Sequence, residues 1–127
     1  MAKLDKVLIT GSSKGLGKSL ATYFFEKGHE VILHGRDELT LKNIKTKISE
    51  ADSIDYYACD LNSEKDVVNL SKYANSKNVN LLINNAGIHC ANKDFIDLDI
   101  SYINNIINVN LRAPIFLSHG MLKTLNG

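Results

Sequence analysis

The chain has 127 residues, 44% of them hydrophobic and 23% charged, with one proline and eight glycines. That is an ordinary globular composition, and it speaks against a disordered tail, a collagen-like repeat or a coiled coil. Fifteen basic and fourteen acidic residues leave a net charge of +1, so no basic face is imposed and neither nucleic-acid nor membrane-surface binding is expected.

Apolar runs of strand length alternate with longer segments of helical period. Val7-Leu8-Ile9-Thr10 is a β-rich run that leads into the glycines from Gly11 to Gly17. Leu20, Phe24 and then Gly28 predict a helix closing on a glycine stop. Val31 to His34 reads as a second buried strand, and Leu41, Ile44 and Ile48 mark one face of a second helix. Ile54 to Cys59 predicts a third strand, after which Asn62 or Ser63 can cap a helix carrying Val67, Leu70 and Ala74. Asn80 to Asn84 predicts a fourth strand, and a long helical stretch runs from about Ile100 to Leu125. The alternation implies an α/β fold, a doubly wound parallel sheet with helices on both faces. The length suits one domain over residues 1–127.

The ends and the cysteines add little. Met1 to Lys6 has no signal-peptide apolar core, and apolar runs break well short of a membrane span. Cys59 and Cys90 are too few for a disulfide framework, so a reduced, cytoplasmic setting is expected. His29, His34, His89 and His119 share no metal-ligand spacing and read as surface or core residues.

The chemistry concentrates at Thr10-Gly11-Ser12-Ser13-Lys14-Gly15-Leu16-Gly17, between the first strand and the first helix. A glycine-rich strand-to-helix turn brings backbone N–H groups and a helix N-terminus up to a phosphate. Two classes of phosphate binder compete for it. Gly17-Lys18-Ser19 matches the end of the phosphate loop of nucleotide hydrolases, with Asp60 able to imitate a magnesium-binding acid. That loop needs a glycine at position 12, which is Ser12 here, while Gly11 stands one residue too early.

The second class is a dinucleotide-binding fold. Thr10 to Gly17 resembles the Thr-Gly-x-x-x-Gly-x-Gly motif of the short-chain dehydrogenase/reductase family. Asn84-Asn85-Ala86-Gly87 resembles that family's second signature, and Asp60-Leu61 its adenine-contacting pair. Val109-Asn110-Leu111 is similar to the segment that carries its catalytic asparagine. The resemblance spans the whole chain but only the first half of the family's Rossmann-like fold, with the strand order 3-2-1-4. It implies that Gly11, Ser13, Lys14, Gly15, Leu16 and Gly17 wrap a pyrophosphate and adenine ribose phosphate. Asp60 and Leu61 then face the adenine, and Asn84, Ala86 and Gly87 line the nicotinamide ribose.

The cofactor choice rests on charge. By the family's spacing, the position of the ribose-binding acid of NAD enzymes is Gly35, and Arg36 follows it. A guanidinium grips a 2′-phosphate that a carboxylate would repel, and Lys14 supplies a second base. NADP is therefore expected over NAD, although Asp37 could neutralise Arg36.

In family members a Tyr and a Lys four residues apart relay a proton, and a Ser orients the substrate carbonyl, all beyond the fourth strand. The chain ends at Gly127 with no position for these three. Tyr23…Lys27 and Tyr73…Lys77 have the right spacing but fall well along crossover helices, away from the strand ends. Asn110 is the catalytic-type residue that remains. Pro114 cannot donate to the carbonyl four residues earlier, which frees the Asn110 carbonyl for a water.

The sequence thus predicts the NADP-binding half of an oxidoreductase acting on a carbonyl or alcohol, inactive alone. A non-catalytic nucleotide-binding module and a truncated remnant are the alternatives. An unpaired fourth-strand edge and the apolar row Ile103, Ile106, Ile107, Ile115 and Leu122 further predict a homo-oligomer.

Overall fold

The computed structural model describes residues 4–90 and 92–125. The first three residues and Gly127, on which the readings of the chain ends bear, lie outside the described residues. The elements are β1 (Lys6–Ile9), α1 (Gly15–Glu26), β2 (Glu30–Gly35), α2 (Glu38–Ile48), β3 (Ile54–Ala58), α3 (Glu64–Ser76) and β4 (Leu81–Ile83). A 3₁₀ turn at Phe95–Asp97 precedes α4 (Ile100–Ile107), a π turn (Asn108–Arg112), α5 (Ala113–Gly120) and α6 (Leu122–Leu125).

The four strands form one parallel sheet in the order β3-β2-β1-β4. Successive side chains of a strand point to opposite faces, and here both faces are covered. Val7, Ile9, Val31 and Leu33 pack with Ala21, Leu41 and Ile44 of α1 and α2. Leu8 and Ile32 face the other way, into Val67, Leu70, Val109, Ala113 and Leu117 from α3 and the last helices. This double burial is why β1 and β2 read as unbroken apolar runs.

The helix ends follow local chemistry. Ser63, rather than Asn62, caps α3, its hydroxyl accepting the Asp66 N–H at 3.2 Å. Asp37 caps α2, accepting the Leu39 N–H at 3.2 Å and the Thr40 hydroxyl at 2.6 Å. Gly28, at φ +89, ends α1 in the left-handed conformation that glycine tolerates.

The helical stretch expected from Ile100 to Leu125 is present, and its backbone stays right-handed helical at Ile107, Asn108, Arg112 and Ala113. Within it the backbone widens into the π turn at Asn108–Arg112, directly before Pro114, which has no N–H to offer the preceding turn. A break follows Gly120, where α5 approaches α3 so closely that a Cβ would fall 2.7 Å from Ser71 Oγ. Of the predicted apolar row, Ile107, Ile115 and Leu122 are exposed, whereas Ile103 and Ile106 are half-buried. Among the described residues, no helix is long and apolar enough to cross a membrane.

Candidate functional site

Parallel strands deliver all their carboxyl ends to one edge of the sheet. The chain leaves β1 toward β2 on one side and later returns to β4 on the other, so a crevice opens between the two loops. A cleft of about 430 Å³ lies there. Gly11, Ser13, Lys14 and Gly15 line it from the glycine turn, and Gly35 and Arg36 from the end of β2. Asp60 and Leu61 enter after β3, and Ala86 and Gly87 after β4.

The glycines of the turn serve different ends. At Gly11, φ is +63 and a Cβ would sit 2.8 Å from the Ala86 Cα. At Gly17 it would collide with the Gly11 carbonyl oxygen and stand 2.5 Å from Asn85 Nδ2. These two positions are closed by packing. Gly15, at φ +58, has nothing within 4 Å of its missing Cβ, so its backbone lies open to the cleft.

Helix α1 begins directly behind this turn. Its N-cap is Lys14, with no side-chain cap and no acid in the first turn. The first N–H groups of the helix therefore keep their partial positive charge for an anion.

Side chains from the neighbouring strands hold the turn. Asn85 Nδ2 donates to the Thr10 and Gly11 carbonyls, both at 3.1 Å. Thr10 Oγ1 accepts the N–H groups of Asn85 at 3.1 Å and Ala86 at 3.0 Å. On the β2 side, the Gly11 N–H donates to His34 Nδ1 at 3.0 Å. Nδ1 must then be the bare nitrogen, and Nε2–H donates to the Cys59 carbonyl at 3.1 Å.

Burial pushes the His34 pKa down from 6.5 to about 4, against smaller opposing effects of the Cys59 carbonyl and Asp60. The unfolded chain takes up this proton near pH 6.5 and the folded chain only near 4. Stability is therefore full above pH 6.5 and falls through that window by about 3 kcal/mol. Urea unfolding at a series of pH values checks this; the slope should flatten in His34→Gln.

Not every predicted residue reaches the cleft wall. Leu16 is exposed beyond it, and Gly17 is buried beneath the turn. Asn84 is exposed outside it, and its neighbour Asn85 takes the inward place. Asn110 also stands off the wall. Its amide Nδ2 donates to the Ile88 carbonyl at 2.7 Å, and its Oδ1 accepts the Ile88 N–H at 2.8 Å. This pair fixes the segment after β4.

The cleft also recruits residues that the sequence reading did not assign to it: His34, Asn62, Asn85, Ile88, Asn105 and Val109. Asn62 ties the adjoining loop to the π turn, accepting from Asn108 Nδ2 and the Arg112 guanidinium, each at 2.9 Å. Asn85 belongs to the Asn84-Asn85-Ala86-Gly87 motif, whereas only its strand-end position marks His34 in the sequence.

Arg36 is not ion-paired with Asp37. Asp37 spends both carboxylate oxygens on the α2 cap, and among the described residues no ion pair joins the two. Lys18 and Ser19, which a hydrolase phosphate loop would turn onto the phosphates, lie on α1 outside the cleft. The two Tyr-x-x-x-Lys pairs are stacked contacts, with Lys27 and Lys77 each 5.6 Å from the ring centroid of its partner. Burial and a hydrogen bond to Asp55 push the Tyr73 phenol well above its ordinary pKa, the wrong direction for a proton donor. Burial likewise pushes the Cys59 thiol up to about 12, leaving it inert.

Known proteins share this architecture. The sequence model of the short-chain dehydrogenases matches residues 5–127. An uncharacterised oxidoreductase of Staphylococcus aureus is 29% identical over 124 residues, covering 95% of this chain and 53% of that protein. Sulfoacetaldehyde reductase 2 of Chromohalobacter salexigens is 30% identical, covering 95% and 49%. Among solved structures, a bulky-bulky ketone specific alcohol dehydrogenase from Comamonas testosteroni superposes with a TM-score of 0.87 at 26% identity, covering 96% of this chain and 50% of that one. A short-chain dehydrogenase from Sphingobium yanoikuyae in complex with NADPH gives 0.85 at 26%, covering 93% and 47%. A 3-ketoacyl-(acyl-carrier-protein) reductase from Brucella melitensis complexed with NADH gives 0.84 at 27%, covering 94% and 50%. The chain spans about half the length of the curated relatives it matches. With its parallel sheet order, its glycine turn and this match along nearly all its residues, the chain belongs to the short-chain dehydrogenase family.

Proposed function

We propose that the cleft binds NADP(H) and that residues 1–127 form the single cofactor-binding domain of an oxidoreductase acting on a carbonyl or alcohol. One observation carries the reading. The turn that is open at Gly15 stands at an uncapped helix N-terminus, between Lys14 and Arg36, with Gly35 where a carboxylate would repel a 2′-phosphate.

In this reading the backbone from Gly11 to Gly17 cradles the pyrophosphate, and Ser13, Lys14 and Arg36 take the 2′-phosphate. Asp60 and Leu61 border the adenine. Ala86, Gly87 and the neighbouring Asn84 border the nicotinamide ribose. When bound, NADP(H) supplies or accepts a hydride. Asn110 contributes to catalysis in the complete enzyme by fixing the segment after β4 through Ile88.

Lys14 and Arg36 should each contribute about 1.5–3 kcal/mol through charge-assisted hydrogen bonds to the phosphate. Calorimetry should find NADPH bound well over about tenfold tighter than NADH, with Arg36→Ala narrowing the gap. Equal affinities would contradict the choice of NADP, and tighter binding of ATP with magnesium would return the site to the phosphate-loop class.

Self-association belongs to the same reading. Exposed Ile107, Ile115 and Leu122, and the outer edge of β4, offer a surface that a second copy can cover. Sedimentation at high concentration should find a dimer or larger assembly; a clean monomer would count against it.

A further inference from the structure

Gly11 has both of its backbone polar groups taken by side chains from other strands. Its N–H goes to His34 Nδ1 at the end of β2, and its carbonyl accepts from Asn85 Nδ2 after β4. His34 continues the chain of contacts. Its Nε2–H reaches the Cys59 carbonyl after β3, and its own N–H donates to Ser12 Oγ at 2.8 Å. The Ser12 hydroxyl in turn donates to the Ile9 carbonyl at 2.9 Å. One imidazole therefore joins the ends of β1, β2 and β3 at the floor of the cleft, while only 3% exposed.

Packing alone does not call for a histidine here. A leucine would fill similar volume and avoid burying two polar nitrogens. It would, however, leave the Gly11 N–H and the Cys59 carbonyl without these partners. Gly11, at φ +63, also has no Cβ of its own to fix the orientation of its peptide groups.

We propose that His34 is the positioning residue of the glycine turn, a neutral imidazole that accepts the Gly11 N–H and so sets the shape in which the turn meets its ligand. A proton on Nδ1 removes the acceptor and turns a second N–H donor against the Gly11 N–H, so the turn loosens in acid. The groups around the ring bear on that proton in opposite senses. Burial opposes it, whereas the Cys59 carbonyl and Asp60, both after β3, favour it; Lys14 on the turn and Arg36 at the end of β2 are the cations lining the same cleft. Cys59, from the β3 side, is a neutral thiol.

The proposal rests on the nucleotide reading only for its affinity readout. Its first test needs no ligand. In the uniformly ¹⁵N-labelled chain, the His34 ring should be the Nε2–H tautomer at neutral pH. On acidification, the Gly11 amide resonance should move on the same curve as the ring. The second test is NADPH titration at neutral pH. His34→Leu should weaken binding by about tenfold or more, and His34→Asn, whose Oδ1 can stand near the lost Nδ1, should recover most of it. A Gly11 amide indifferent to the ring's titration overturns the proposal, as does a folded His34→Leu that binds NADPH like the parent. If the parent binds no NADPH, the cofactor reading fails, and the Gly11 titration still decides the role of His34. If His34→Leu does not fold, the parent titration and His34→Asn carry the decision.

Discussion

Gly17→Ala should reduce NADPH affinity by about a hundredfold or more and lower the melting temperature at the same time. In an exposed helix interior, Gly→Ala gains about 1 kcal/mol of helix propensity. Here the new methyl collides with the Gly11 carbonyl oxygen and meets Asn85 Nδ2 at 2.5 Å. Those two groups are hydrogen-bonded to each other at 3.1 Å, so neither can yield without opening the clamp on the turn. Overpacking of this kind costs about 1–3 kcal/mol, which outweighs the propensity gain. A misplacement of about 1 Å in a preorganised site can cost about a hundredfold. Gly15→Ala is the counterpart. Its methyl has free space, so the unliganded fold should lose only about 1–2 kcal/mol from the left-handed backbone. Binding should still suffer, because the methyl enters the open cleft. Calorimetry with thermal melts on both variants separates the two effects. A Gly17→Ala protein as stable and as tightly binding as the parent would contradict the packing described here.

Carbonyl reduction by these 127 residues alone should stay at background. Hydride transfer to a carbonyl builds negative charge on oxygen, and a positioned acid must supply a proton. Tyr102, Tyr73 and Tyr23 do not fit the task. Tyr102 donates its hydroxyl to the His89 carbonyl at 2.8 Å, Tyr73 donates to Asp55, and Tyr23 lies along α1 outside the cleft. The lysines paired with Tyr23 and Tyr73 stack on the rings rather than approach the hydroxyls. General acid catalysis is typically worth about 10²–10⁴-fold, and lost substrate orientation adds to that deficit. NADPH oxidation should be measured against ketones, aldehydes and quinones, with and without a separately made C-terminal half of a matching dehydrogenase. Turnover by this chain alone that vanishes in Tyr102→Phe yet survives Asn110→Ala would contradict the expectation.

The architecture was legible because a doubly covered parallel sheet demands continuous apolar strands. Val7 to Ile9 and Val31 to Leu33 have no other reading once helical segments separate them. The glycine turn was legible for a similar reason, since few local structures need three glycines between a strand and a helix. Other features were hidden by physics that sequence patterns do not record. The π turn at Asn108–Arg112 widens the helix without ending it, so Pro114 signalled an irregularity but not its form. Asn84 and Asn85 look alike in sequence, yet adjacent residues leaving a strand point opposite ways, and Asn85 holds the turn. His34 is an isolated histidine in an apolar run. Only the folded backbone brings Gly11 N–H and the Cys59 carbonyl to its two ring nitrogens.

The proposed nucleotide site is the cleft over the carboxyl ends of the strands. Amide chemical-shift mapping during NADPH titration tests it most directly. The expected result is saturable shifts confined to Gly11–Gly17, Gly35–Arg36, Asp60–Asn62 and Asn85–Ile88, with larger changes near Lys14 and Arg36 for NADPH than for NADH. Shifts that instead centre on Lys18, Ser19 and Thr22 of α1, or an absence of saturable shifts at any NADPH concentration, would contradict it.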